Sequence, residues 1–184
     1  MLRLLLIGCL ACLIEGKVVD RLAIAVGREV ITELQIEEEI RVTAFLNQQP
    51  ITRDSDARRA AADRLIAQLL VKHEMQLSRY PSPNASEESS YFQGIRSEFG
   101  NPSSFEKALT TYKLTESILK EHLALQLTTL RFIEYRFRPD VGISDTDVET
   151  RKTLIEARTD EALDTWLKES RKQVKIVYVN KSLR

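Results

Sequence analysis

The chain has 184 residues, which suits one domain of ordinary size with its own core, and its apolar content is normal for a globular protein. Its 27 Lys and Arg residues equal its 27 Asp and Glu residues, so no net field steers it toward nucleic acid or anionic lipid. Both cysteines, Cys9 and Cys12, lie near the start, which leaves the remainder without disulfides or thiolate metal sites.

Met1-Leu2-Arg3 gives a short positive start, Leu4 to Ile14 a compact apolar run, and Glu15-Gly16-Lys17 ends it. The run is too short to span a bilayer and suits a secretory signal, so residues 1–16 are read as a signal peptide and 17–184 as the folded domain. A buried helix is the competing reading, and no clean small-x-small triplet marks a cleavage site before Lys17. Leu6-Ile7-Gly8-Cys9 resembles a bacterial lipoprotein box, which would make Cys9 a lipidation site, although the apolar run ahead of it is very short.

Val18 to Val26 reads as a strand, with Leu22, Ile24 and Val26 alternating against Arg21, Ala23 and Ala25. Gly27-Arg28 places Gly first in a type II′ hairpin turn, and Glu29-Val30-Ile31 runs back. Thr32-Glu33-Leu34-Gln35 is a capping box opening a helix with Ile36, Ile40 and Ala44 as its buried stripe. The acids Glu33, Glu37, Glu38 and Glu39 suit the positive end of that helix, and a solvated face accounts for them better than a metal site. A second helix is expected from Asp56 to Ser78, with Ala62, Ile66, Leu69, Leu70, His73 and Leu77 on one face.

Tyr80-Pro81-Ser82-Pro83 breaks the chain, and Asn84 with Glu87 opens a helix that ends at Gly100. Asn84-Ala85-Ser86 also matches a glycosylation acceptor. Asn101-Pro102 restarts the chain, and Ser103 to Glu106 reads as another capping box for a short helix ending near Thr111. Thr115 caps the longest pattern, to Arg138, with Leu119, Leu123, Leu127, Leu130 and Phe137 at helical spacing. Pro139 and Gly142 end it. Ser144 starts a last helix reaching Lys172, with Arg158-Thr159-Asp160 as a bend and Leu163, Trp166 and Leu167 buried. Val174 to Val179 closes the chain as a strand.

A short isolated strand is marginal in water, so the two ends are expected to pair with each other. The fold class is therefore mainly α: a single helical domain with a small β-sheet formed by the N-terminal hairpin and the C-terminal strand.

Little in the pattern suggests catalysis. His73 and His122 lie on separate helices with no second ligand at useful spacing, and nothing resembles a phosphate loop. No catalytic, metal-binding or cofactor-binding residue is assigned. Arg131, Arg136 and Arg138 interleave with Phe132, Tyr135 and Phe137, types that a single-strand nucleic-acid binder uses, yet cations at a helix end explain them and no nucleic-acid partner is expected.

As a set, these motifs resemble the SurA-type periplasmic chaperones, the SurA N-terminal domain family. Val19 to Thr32 is similar to that family's opening hairpin and cap, and Arg64 to Leu70 to its second-helix motif. Ser104 to Leu109 with Leu114-Thr115 resembles its short helix and following cap. Arg131 to Arg138, then Val141, Ser144 and Val148, resembles the end of its core domain. Trp166 to Arg171 leading into Val174 to Val179 resembles its final helix and returning strand. The resemblance spans about residues 18–184, with a core to about 148 and the closing helix and strand from about 149. Family members often insert a parvulin prolyl isomerase domain between these parts; here Val148 runs almost directly to Trp166, and the paired histidines of that domain are missing.

The resemblance implies an ATP-independent chaperone, exported to the periplasm or lipid-anchored there, that binds unfolded exported polypeptides, outer-membrane proteins included. It would act as a monomer or a strand-exchanged dimer, without isomerase activity. Tyr91, Phe92, Phe99 and Tyr112, in or beside the least regular stretch, are the candidate client contacts, with a core role as the alternative. A reduced prolyl isomerase and a membrane-tethered assembly protein are the competing functions.

Overall fold

Alternating side chains and a permissive turn residue open the fold as a hairpin. The computed structural model describes residues 20–137 and 148–184, with the backbone alone for 148–155. In it β1 (Leu22–Val26) and β2 (Glu29–Thr32) pair antiparallel around Gly27, whose φ of +61° is what the first central position of a type II′ turn requires. Ala25 stands opposite Val30, and a bulge separates Leu22 from Ile24. The strand is shorter than its apolar pattern suggests. Asp20 and Arg21 fall outside it, because the Asp20 carboxylate accepts from the Arg21 and Leu34 amides at 2.7 and 3.1 Å. Val18, Val19, the signal segment and Cys9 lie outside the described residues.

The last strand returns to the first. β3 (Ile176–Tyr178) pairs antiparallel with β1, Ile24 opposite Tyr178 and Val26 opposite Ile176, giving the sheet order β2-β1-β3. The joint continues on both sides. Gly27 N donates to Lys175 O at 2.9 Å, and Val179 N and Asn180 N both donate to Ala23 O. A final 3₁₀ turn, Lys181–Leu183, buries Leu183 in the core. The chain is mainly helical with the small closing sheet that the sequence leads one to expect.

Six helices are described between these strands: α1 (Glu33–Leu46), α2 (Ser55–Leu77), α3 (Ala85–Ser97), α4 (Pro102–Tyr112), α5 (Glu116–Phe137) and α6 (Val148–Gln173). Their starts follow from local chemistry. Thr32 and Gln35 form the reciprocal capping box of α1, Asn84 and Glu87 that of α3, and Thr115 Oγ1 accepts from Ile118 N at the head of α5. One cap differs from expectation. Asn101, not Ser103, caps α4: its side chain accepts from Ser104 N at 2.9 Å, and Pro102 takes the first helical position, where its missing N–H costs nothing. Where a bend is expected, at Arg158-Thr159-Asp160, α6 continues as helix. The breakers Pro139, Gly142 and Ser144 lie outside the described residues.

Three clusters make the core. The sheet residues Ile24, Val26 and Ile31 pack on Ile36 and Ile40 of α1 and on Ile66 of α2, with Trp166 and Leu167 of α6 against them. Around Phe45 lies an aromatic cluster in which Phe99 stacks at 4.8 Å and Phe105 meets it edge-on at 6.0 Å. Phe132 joins Val71 and Met75 of α2 to Trp166, ring to ring at 4.6 Å.

The expected stripes hold for the first half of α2 and, on α5, for Leu119 and Leu123 and again at Phe137, which packs half-buried against Phe132, but not between. On α2, Val71 and Met75 are buried while His73 and Leu77 are exposed; on α5, Phe132 is buried while Leu130 is half exposed. Each helix turns its buried side about halfway round along its length, because it packs on different neighbours at its two ends. Among the described residues no helix is long and apolar enough to cross a membrane.

Candidate functional site

Where α1, α2 and α5 cross, a polar cluster interrupts the apolar packing. Glu39 falls in phase with Ile36 and Ile40 on the inner face of α1 and is only 2% exposed. The acid run, expected to be a solvated face, is part-buried and ion-paired: Glu33 and Glu37 both pair with Arg58, Glu37 also with Arg53, and Glu38 approaches Arg41. Glu39 departs furthest from that expectation. A buried carboxylate is tolerable only when paired, and here Arg64 Nε reaches Glu39 Oε1 at 2.7 Å and His122 Nδ1 lies 3.0 Å from Oε2. Thr43 Oγ1 adds a donor at 3.3 Å.

Burial by itself pushes the Glu39 carboxyl up, yet the hydrogen bonds from His122 and Arg64, helped by their charge, more than offset it and hold the group below the ordinary glutamate range. An ionised Glu39 only accepts, so His122 carries its proton on Nδ1.

Glu39 and Arg64 lie on the floor of a groove of about 370 Å³. α1 contributes Thr43 and Leu46, α2 Ala67 and Gln68, α3 Tyr91, and α5 Gln126, Thr129 and Leu130. One feature suits it to a ligand: Leu130, half exposed, offers apolar surface that nothing covers among the described residues. Gln68 in the wall is 9% exposed, and its Oε1, itself shut off from the surface, has no hydrogen-bond partner.

The arrangement is not a nucleophilic triad: an acid–imidazole pair is present, but the neighbouring hydroxyl, Thr43, donates to the carboxylate and not to the imidazole. Among the described residues no group of three or more His, Cys, Asp or Glu side chains could hold a metal ion.

The four candidate contact aromatics separate. Tyr91 lines the groove, half buried, and burial followed by the charge of Glu98 pushes its phenol up. Phe92 is core: 3% exposed, edge-on to Phe105 at 5.9 Å, with Lys120 Nζ 4.6 Å above its ring. Phe99 and Tyr112 are half buried against Phe45, and the Tyr112 hydroxyl donates to Gln49 O at 3.1 Å. Neighbours on a helix point about 100° apart, which is why Tyr91 reaches the groove and Phe92 does not. Of the arginines considered for nucleic acid, Arg131 is held by Glu87, Arg136 lies 3.6 Å from Glu74, and Arg138 is outside the described residues.

Glu39, Arg64, Gln68 and Leu130 were not legible as a group. Only the phase of Glu39 with Ile36 and Ile40, and Gln68 set among Ile66, Leu69 and Leu70, carried a signal in the sequence. No protein-family model matches the chain, and no curated protein matches it significantly.

Proposed function

We propose that this chain is an ATP-independent chaperone of the periplasm that holds unfolded exported polypeptides, as its resemblance to the SurA N-terminal domain family implies. The observation that supports this reading best is the open groove between α1, α2, α3 and α5, which joins uncovered apolar surface at Leu46, Tyr91 and Leu130 to polar side chains at Gln68, Gln126 and Thr129. An unfolded segment presents both kinds of group: apolar side chains, and backbone amides and carbonyls in need of partners. A groove that offers both can hold many sequences without reading any one closely. Holding then acts by mass action, lowering the free concentration of aggregation-prone chains, and needs no nucleotide. The role is non-catalytic.

The test is aggregation of a chemically denatured exported protein diluted into buffer without ATP. The chain at several-fold excess should suppress light scattering. Leu130→Asp, which alters an exposed position, should weaken suppression several-fold with an unchanged circular dichroism spectrum. No suppression by the wild type would sink the reading. A fully active Leu130→Asp would remove the groove from it.

A further inference from the structure

A second concave site lies at the joint where the chain closes. Val26, Leu69, Leu70 and Val174 are the apolar side chains of a pocket of about 480 Å³ between the Gly27 turn, α2 and the Gln173–Lys175 segment. One turn beyond its His73, the same face of α2 carries Leu77, 66% exposed. The charged groups around the pocket are Arg28, Glu29 and Lys175, together with His73. Glu29 faces Lys72, which approaches it at 3.8 Å. The side chains of Arg28, His73 and Lys175 are exposed and make no hydrogen bond or ion pair with any described residue. The groove shows the contrast: there Arg64 is engaged by an acid.

We propose that this pocket binds a small amphiphilic carboxylate, an aliphatic or aromatic monocarboxylic acid. Its size falls within the ~300–1,000 Å³ of small-ligand sites, and such sites pair apolar walls with a few convergent polar groups. The apolar body lies against Leu69, Leu70, Val26 and Val174. The carboxylate meets Arg28, whose planar fork suits two parallel hydrogen bonds, and Lys175, with His73 beside them. A neutral apolar molecule would leave the cations unused, and a cationic one would be repelled. The site stands apart from the client groove, and the proposal holds whether or not the chain is a chaperone. A bound ligand would touch the hairpin, α2 and the segment entering β3 at once, clamping the closure of the sheet.

The experiment is thermal unfolding and calorimetric titration of the full chain with octanoate below its micelle concentration, beside octanol and octylamine. A ligand that binds only the native state raises the midpoint saturably. Octanoate should do so, and the two analogues should bind about tenfold or more weakly, the scale of one charge-assisted hydrogen bond. The double variant Arg28→Gln/Lys175→Gln should lose about tenfold in octanoate affinity while its ligand-free midpoint stays put, since neither side chain has a partner to lose. Three results would each overturn the proposal: no saturable shift with millimolar octanoate, equal binding of octanol, or wild-type octanoate affinity in the double variant.

Discussion

Removing Glu39 tests whether the buried polar cluster is a fixed part of the fold. In Glu39→Ala the imidazole N–H of His122, 7% exposed, loses its acceptor, and Arg64 loses its carboxylate. Breaking a buried ion pair from one side costs about 3–5 kcal/mol. One feature lowers that here: Arg64 is 41% exposed and can turn into water. What remains is an unsatisfied buried donor and an emptied volume, about 2–3 kcal/mol together. Glu39→Gln keeps an oxygen for the imidazole and should cost about 1 kcal/mol.

Urea unfolding at neutral pH measures both, provided the slope with denaturant is unchanged. A cycle with His122→Leu should return a coupling of about 1 kcal/mol or more. The sign of the pH dependence follows from the depressed Glu39 carboxyl. Its contribution is fully present above the unfolded value, near 4.5, and is lost as pH falls through the lower folded value. The stability gap between wild type and Glu39→Gln should therefore narrow below about pH 4.5. A Glu39→Ala cost under about 0.5 kcal/mol, or strict additivity with His122→Leu, would refute the reasoning.

Three further outcomes follow from single positions. Asn101→Ala should lower stability by about 1 kcal/mol while Ser103→Ala stays within about 0.5 kcal/mol, a comparison by thermal melts that decides which residue caps α4. Phe132→Ala should cost about 3–5 kcal/mol, and because its ring lies against Trp166, the single tryptophan, emission from the native state should shift as well. Gly27→Ala should cost about 1–2 kcal/mol from its positive φ alone, since an added Cβ would meet only Val174 Cγ1 at an ordinary 3.5 Å; an unchanged urea midpoint would contradict the assigned turn.

What the sequence made legible is what depends on near neighbours. The pairing of Ile24 with Tyr178 could be foreseen because two short apolar strands in a helical chain have little else to pair with. The caps at Thr32, Asn84 and Thr115 could be foreseen because each is settled within a few residues. Asn101 is hidden for a local reason: Ser103 to Glu106 match the box pattern, and Asn-Pro reads as a break although Pro at the first helical position is itself a start signal. The burial of Glu39 is hidden for a global one. Arg64 and His122 reach it from other helices, 25 and 83 residues away, and no window of sequence contains all three.

The exposed apolar residues share one cause. On a helix, Phe132 sits about half a turn round from Leu119 and Leu123, and Met75 about half a turn round from Ile66. Both are buried, so α5 packs one side near its start, under Phe92 and Phe105, and the other near its end, against α2 and Trp166. α2 does the same between the sheet and Phe132. A helix that changes its buried side midway leaves the continuation of its first stripe in solvent. On α5 that continuation is Leu130, in the wall of the groove, and on α2 it is His73 and Leu77, at and beyond the second pocket. A uniform stripe predicts Leu77 and Leu130 to be core. Their exposure is the geometric result of two crossings, and it sets uncovered apolar surface beside the polar groups of both concave sites.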